Sequence, residues 1–224
     1  MITVIHKKLG ETPLEAIERF RSEKGIDGQT PMTYAGRLDP MAEGLLIVLT
    51  GEDCKRKTDF NHLDKEYEIE VILGVQSDSY DVLGLVKKAE IKEFNLNAFV
   101  RKFTQEYPRY SSKIIAMKEV PEDMPTKEVE IYLIERLGER EISGQDLSRQ
   151  AIEKIRLVRG EFRQNEIIET WLKFGQVYEY EKFKVLSLRV ACSSGTYMRS
   201  LAHNMGGLAL SIKRTKIEGC EGLL

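Results

Sequence analysis

With 224 residues, 42% apolar content and a formal net charge of −2, the chain has room for one large domain, or a core with one inserted lobe, and a globular protein is expected. A pI near 6.1 excludes the overall cationic field that drives indiscriminate nucleic-acid binding, so a nucleic-acid partner would need local basic patches. No window approaches the roughly 18 uninterrupted apolar residues of a membrane span, and the opening MITVIHKKLG lacks the layout of a secretory signal; a cytoplasmic protein with no membrane partner is expected.

The first helix announces itself through Thr12 as N-cap, Pro13 at the first helical position and Glu15 as the return glutamate of a capping box, with Leu14, Ile17 and Phe20 as its buried stripe. After Asp39 and Pro40, an ordinary turn signal when met alone, LLIVLTG reads as a strand closed by Gly51. The clearest element is YEIEVILGV, where Tyr67, Ile69, Val71, Leu73 and Val75 alternate with Glu68 and Glu70 and predict one buried and one wet face. From about Lys118 to Trp171 the composition turns highly charged, with mixed strand and helix patterns and several glycines. Residues 119–176 are therefore expected to form an inserted lobe, with 1–118 and 177–224 as the main catalytic domain. In FRQNEIIETWLKF, Ile167, Ile168, Trp171 and Phe174 form a packing face. FKVLSLRVAC returns to strand, and SSGTYMRSLAHNMGG follows as turn, helix and glycine stop. Strands and helices without regular alternation predict an α+β fold with a mixed, largely antiparallel sheet flanked by helices.

Cys54, Cys192 and Cys220 lie far apart, as do His6, His62 and His203, which argues against a disulfide framework and a zinc site; chemistry without a protein-bound metal is expected. Basic clusters stand at Lys7 and Lys8, at Lys55, Arg56 and Lys57, at Arg156, Arg159 and Arg163, and at Lys213, Arg214 and Lys216. Each alone reads as a solvated face.

Four stretches nevertheless fall into an informative order: GRLDP at 36–40, KEYEIEVILG at 65–74, SDSYDVLG at 77–84 and CSSGTYMRSLA at 192–202. HKKLGETP precedes them, YPRYSSKIIAMKEV lies between, and IKRTKIEG closes the series. In order and spacing the chain resembles the TruB family of pseudouridine synthases, which isomerise a uridine in the T-arm of tRNA. The resemblance implies that Asp39 is the catalytic carboxylate, that Tyr67 lies against the target base, and that Arg199 pairs with Asp39. It further implies that Asp81 orients Arg199, that Tyr197 packs the pocket, and that Lys7 and Thr12 belong to a motif supporting the catalytic loop and so contribute to substrate binding. It implies RNA, above all tRNA at position 55, as the partner, no cofactor, no protein partner and a monomer. The chain stops at EGLL just after the closing motif, so the C-terminal RNA-binding PUA domain of many bacterial members is expected to be absent.

Chemistry agrees with that assignment. Forming pseudouridine breaks an N-glycosidic bond, turns the uracil and joins carbon to the same ribose, so nothing is oxidised and no group leaves. It requires one ionised carboxylate, as nucleophile or as base, and a cation to keep it ionised in a desolvated pocket. Arginine suits that partner because it stays charged and can bind a carboxylate through two hydrogen bonds. The base must be extracted from its stack, and an aromatic such as Tyr67 replaces the lost stacking.

Two residues depart from the family pattern. Tyr34 stands where the family places a histidine near the flipped base, and Arg37 is more reminiscent of the RluA and RsuA branches, which act mostly on ribosomal RNA. Three other functions compete with the leading one: a pseudouridine synthase acting on another stem-loop such as rRNA, an RNA-binding or RNA-folding module with little catalysis, and a glycoside hydrolase using Asp39 and Asp81 as paired carboxylates.

Overall fold

The computed structural model of the protein describes residues 1–91, 93–111, 114 and 121–223. In chain order it comprises β1 (Ile2–Lys7), α1 (Pro13–Lys24), β2 (Met32–Ala35), β3 (Ala42–Thr50), β4 (Lys65–Leu73), β5 (Val75–Ser77) and β6 (Val86–Lys88). Then follow β7 (Lys102–Glu106), β8 (Thr126–Ser143), α2 (Gly144–Ile155), α3 (Gln164–Val177), β9 (Lys182–Cys192), α4 (Met198–Asn204) and β10 (Gly207–Ile217). Seven strands run β1-β3-β10-β4-β9-β8-β7 across one sheet, β2 pairs with β3, and β5 and β6 form a separate hairpin. Among the described residues, β3–β10 is the only parallel pair of strands, so the fold is α+β with a mixed, largely antiparallel sheet.

The alternation along β4 directs Tyr67, Ile69, Val71 and Leu73 into one core, shared with Leu188 and Val190 of β9 and Leu201 and Ala202 of α4. Its opposite face is polar only at the start. Glu68 and Glu70 are half-buried, with Arg140 of β8 3.1 Å from Glu70, whereas Ile72 enters a second core with Leu208, Val185 and the apolar sides of α2 and α3. The sheet is therefore covered on its second face wherever those two helices reach.

Residues 119–176 supply those helices and a strand of the sheet itself. β8 pairs with β9 from Ile131 to Ser143, and Ser143 then caps α2 by accepting the Asp146 N–H. On α3, Ile167, Trp171 and Phe174 are buried, and the Trp171 indole N–H donates to the Val82 carbonyl at 2.9 Å. The packing face expected in FRQNEIIETWLKF thus lies against the common core. High charge in β8 reflects its position near the sheet edge, where outward side chains meet water, and charge alone does not separate an edge strand from a lobe.

Helix α1 carries the capping box expected of Thr12 and Glu15, and the helix stops at Gly25 in the left-handed conformation. Its buried stripe is Pro13, Ala16, Ile17 and Phe20, against Leu46 and Val48 of β3. Leu14, expected in that stripe, is 65% exposed, because the face that meets the sheet is set by Ala16 and Ile17 and Leu14 points away from it.

β3 and β10 approach closely at Gly44, whose φ is +107° and whose absent Cβ would lie 2.2 Å from the Arg214 carbonyl oxygen. A Gly44→Ala substitution is expected to cost at least about 2 kcal/mol, from backbone strain and from prying the strands apart. Urea denaturation would read the loss as a lower midpoint with an unchanged slope.

Candidate active site

The loop between β2 and β3 carries Asp39. Leu38 on one side of it is buried in the first core and Met41 on the other side in the second, so the aspartate is held between two apolar anchors. Three bonds to backbone carbonyls complete the hold: Ala42 N–H to the Asp39 carbonyl at 3.0 Å, Gly10 N–H to the Pro40 carbonyl at 2.9 Å, and the Arg214 guanidinium to the Gly36 carbonyl at 2.7 Å. Gly10 has φ +85° and lies against Leu157, where a Cβ would come within 2.6 Å. The N-terminal segment is thereby wedged under the loop.

Lys7 sits fully buried in the same place, its ammonium donating to the carbonyls of Ala42 at 2.6 Å and Lys8 at 3.0 Å. Burial brings its pKa down to about 8, against the pull of Glu11 and Asp39. Thr12 caps α1 and bonds to Glu15. Neither residue lines the cavity described next; both brace the segment beneath the loop.

Asp39 faces a cavity of about 560 Å³ that Tyr67, Tyr197 and Arg199 also line. Arg199 projects from α4, where it is 3% exposed. Its Nη2 stands 2.7 Å from Asp39 Oδ2, its Nε 3.6 Å from Asp81 Oδ2, and its Nη1 donates to the Ser79 carbonyl at 3.0 Å. Burial would by itself lower the guanidinium pKa, but Asp39 and Asp81 together outweigh it and hold Arg199 charged.

Asp81 lies behind the arginine, out of the first cavity. Its Oδ1 accepts from the Ser79 hydroxyl at 2.7 Å and from the Leu83 N–H at 2.9 Å. Burial raises its pKa, opposed first by the Arg199 charge and then by the Ser79 bond. The turn before it is built on Tyr80, which adopts φ +68° and stacks on His203 of α4 with ring centroids 3.9 Å apart. The turn bearing Asp81 and the helix bearing Arg199 are thus docked to each other directly.

Tyr67 stands opposite Arg214 in the β4–β10 register and is almost wholly buried. Burial raises its phenol pKa, with the nearby Arg214 charge opposing. Tyr197 is clamped by Gln105 of β7, whose carboxamide accepts its N–H at 2.8 Å and donates to its carbonyl at 3.1 Å. Burial, then Asp39, pushes the Tyr197 phenol up to about 12. Tyr34 does not line the cavity. Its hydroxyl accepts from Arg37 at 3.2 Å and its ring lies 5.1 Å beneath the Lys57 ammonium, so it touches the site through Arg37, which does line it.

Four charged or aromatic cavity residues were not singled out from the sequence as parts of a site: Lys65, Tyr107, Lys127 and Arg214. A signal existed for two of them. Lys65 is two residues before Tyr67 and so shares its inward face, and Arg214 is two residues after the buried Ile212; a cation at an inward strand position requires a partner or a function. Lys127 and Tyr107 reach the cavity only through tertiary packing, Lys127 donating to the Ser194 carbonyl at 2.7 Å. The cavity thereby sets Arg37, Lys65, Lys127, Arg199 and Arg214 against one carboxylate, Asp39, although the chain as a whole has a net charge of −2. Such focused positive charge attracts a polyanion. Among the described residues, no group of three or more His, Cys, Asp or Glu is placed to hold a metal ion.

Burial, followed by the neighbouring Arg214, brings the Lys65 pKa down to about 8. Its charge is present below that value and is lost as pH rises through it. Affinity for a polyanion at this cavity is therefore expected to fall several-fold between about pH 7 and pH 9, and Lys65→Gln should flatten that dependence in a fluorescence-anisotropy titration with a labelled nucleic acid as the polyanion.

The family model of the TruB family pseudouridylate synthase N-terminal domain matches residues 24–198. A tRNA pseudouridine synthase B of Protochlamydia amoebophila is 29% identical, covering 92% of this chain and 67% of its own length. Another, of Chlamydia pneumoniae, is 30% identical, covering 92% of this chain and 74% of its own. Among solved structures, a Cbf5-Nop10-Gar1 complex aligns with a TM-score of 0.56 at 15% identity over 96% of this chain. An H/ACA RNP bound to a substrate RNA containing 2′-deoxyuridine aligns with a TM-score of 0.54 at 15% identity over 96% of this chain. The chain spans about half the length of these solved chains, 48% and 47%, and at that identity the likeness is one of fold. Matched by the family model over residues 24–198 and by relatives over most of its length, the chain belongs to the TruB family of pseudouridylate synthases.

Proposed function

We propose that the protein isomerises a uridine of tRNA to pseudouridine, at position 55 of the T-arm, with Asp39 as the catalytic carboxylate. The observation that carries this reading is the buried Arg199 guanidinium 2.7 Å from Asp39 at the wall of a cavity that Tyr67 also lines. A guanidinium held charged beside it gives the Asp39 carboxylate a fixed cationic partner and aims it into the cavity. Tyr67 offers an aromatic surface to a uracil taken out of its stack; such contacts are worth roughly 1–3 kcal/mol each, comparable with the cost of unstacking.

The reaction balances within the substrate. The N1–C1′ bond breaks, the uracil turns, C5 joins C1′, and the proton lost from C5 matches the one gained at N1. Asp39 acts either on the sugar or on the uracil ring, and in both roles it must be anionic at the start. The five cations around it fit an RNA whose phosphates flank the flipped nucleotide. Two named relatives are tRNA pseudouridine synthases, which supports tRNA as the RNA.

Incubating the protein with an unmodified tRNA transcript, followed by carbodiimide mapping, tests this reading. One new pseudouridine in the T-arm is the expected result. Tight binding of the transcript with no pseudouridine formed anywhere would overturn it.

A further inference from the structure

A second cavity, of about 600 Å³, adjoins the first and shares with it the Asp39–Arg199 pair and Arg37. The rest of its wall comes from Pro40, from the turn carrying Ser79, Asp81 and Leu83, and from two distant pieces of chain: Tyr110, following β7, and the Glu161–Arg163 turn between α2 and α3. Arg163 lays its guanidinium over the Tyr110 ring, 4.3 Å from the centroid, and pairs with Asp78 at 3.0 Å. The turn is held firmly: the Gln164 carboxamide accepts the Phe162 N–H at 2.8 Å and donates to the Gly160 carbonyl at 2.6 Å. A planar cation fixed on one aromatic, beside a second aromatic that is only half-buried, makes a ready stacking surface.

The charges point the same way. Arg163 is offset by Asp78, and Arg199 is shared between Asp39 and Asp81. Arg37 is exposed and has no carboxylate partner among the described residues; its guanidinium donates to the Tyr34 hydroxyl. It lines both cavities, so an anion bridging them would meet it.

We propose that the second cavity takes the base of the nucleotide directly adjoining the target uridine, stacked on Phe162 and the Tyr110–Arg163 pair, while Arg37 binds the phosphodiester joining the two nucleotides. This deepens, and rests on, the reading of the first cavity as the uridine site. A nucleotide neighbour is the occupant that fits, because two cavities separated by one shared ion pair and bridged by an unpaired cation match two consecutive bases joined by one phosphate. Single-stranded bases are commonly read by stacking on aromatic and guanidinium planes. The inter-helix turn would then act in substrate recognition as well as closing the fold.

Anisotropy measurements with the full chain and a T-arm stem-loop RNA, carrying an abasic residue in turn on the 5′ and 3′ side of the target uridine, test the proposal. The wild-type protein should lose roughly tenfold in affinity for one of the two abasic RNAs. Phe162→Ala should bind the intact RNA about tenfold more weakly and lose little more on that abasic RNA. Arg163→Asn, which keeps a residue type tolerant of the left-handed backbone, should behave likewise and decides the matter if Phe162→Ala fails to fold. Losses that simply multiply in the variants, or wild-type indifference to both abasic sites, would overturn the proposal. Carbodiimide mapping of the same samples separates the two readings. Pseudouridine without this coupling removes only the second cavity's role, whereas coupling without pseudouridine removes the catalytic reading and leaves the stacking site.

Discussion

Replacing Asp39 by asparagine is expected to reduce pseudouridine formation at least about a thousandfold while the protein still folds and binds RNA. The amide keeps the shape of the side chain, and therefore its fit between Leu38 and Met41, but cannot serve as an anionic nucleophile or base. Arg199 retains Asp81 and the Ser79 carbonyl as partners, so its charge is not orphaned. Asp39 is also partly open to solvent, with 23% of its side chain exposed, so the lost ion pair should cost only about 1 kcal/mol of stability. Single-turnover assays on a tRNA transcript, beside anisotropy on the same RNA, check both halves. Normal turnover in a folded Asp39→Asn sample free of contaminating enzyme would remove Asp39 from the chemistry.

Arg199→Gln should have the opposite balance, with stability lost along with activity. Asp81 is nine-tenths or more buried, and removing its cation leaves a carboxylate that must either stay ionised without compensation or take up a proton. Breaking a buried pair in this way costs about 3–5 kcal/mol. Burial already raises the Asp81 pKa, and losing Arg199 would raise it further. A carboxyl whose folded pKa lies above its unfolded value favours the fold at low pH and loses that contribution as pH rises through the folded value. The deficit of Arg199→Gln relative to wild type should therefore shrink on moving from about pH 8 to about pH 5. Adding Asp81→Asn should recover part of the loss, because the orphaned charge disappears with its partner. Urea melts of the two single variants and the double variant at both pH values read this. Strictly additive losses, independent of pH, would show that Arg199 acts through packing alone.

The α+β class, the alternating β4 strand and the capped first helix were legible because each depends on local pattern. Capping chemistry and a period of two are written in neighbouring residues. The Leu14 expectation failed for a related reason, since a helix's apolar stripe can be shifted by one residue and only the partner surface chooses between Leu14 and Ala16. Residues 119–176 present the same limit on a larger scale. Their charge and glycine content resemble an insertion, and only the pairing of β8 with β9 and the seat of Trp171 under Val82 place them within the common sheet and core. The YPRYSSKIIAMKEV stretch is described only at residues 107–111 and 114, so its remaining positions lie outside the described residues.

The motif residues themselves, Asp39, Tyr67, Asp81, Tyr197 and Arg199, could be named from the sequence because the order and spacing of short motifs are one-dimensional properties. What they do to one another could not. The 2.7 Å contact between a loop at position 39 and a helix at position 199, the division of Arg199 between two carboxylates, and the arrival of Lys65, Lys127 and Arg214 at the same cavity all join residues far apart in the chain. Electrostatic and packing energies depend on distance in space and on burial, and no local pattern encodes either. The sequence by itself determined the residue types available for the chemistry; the tertiary structure decided which of them share a desolvated cavity and which, like Lys7 and Thr12, brace it from beneath.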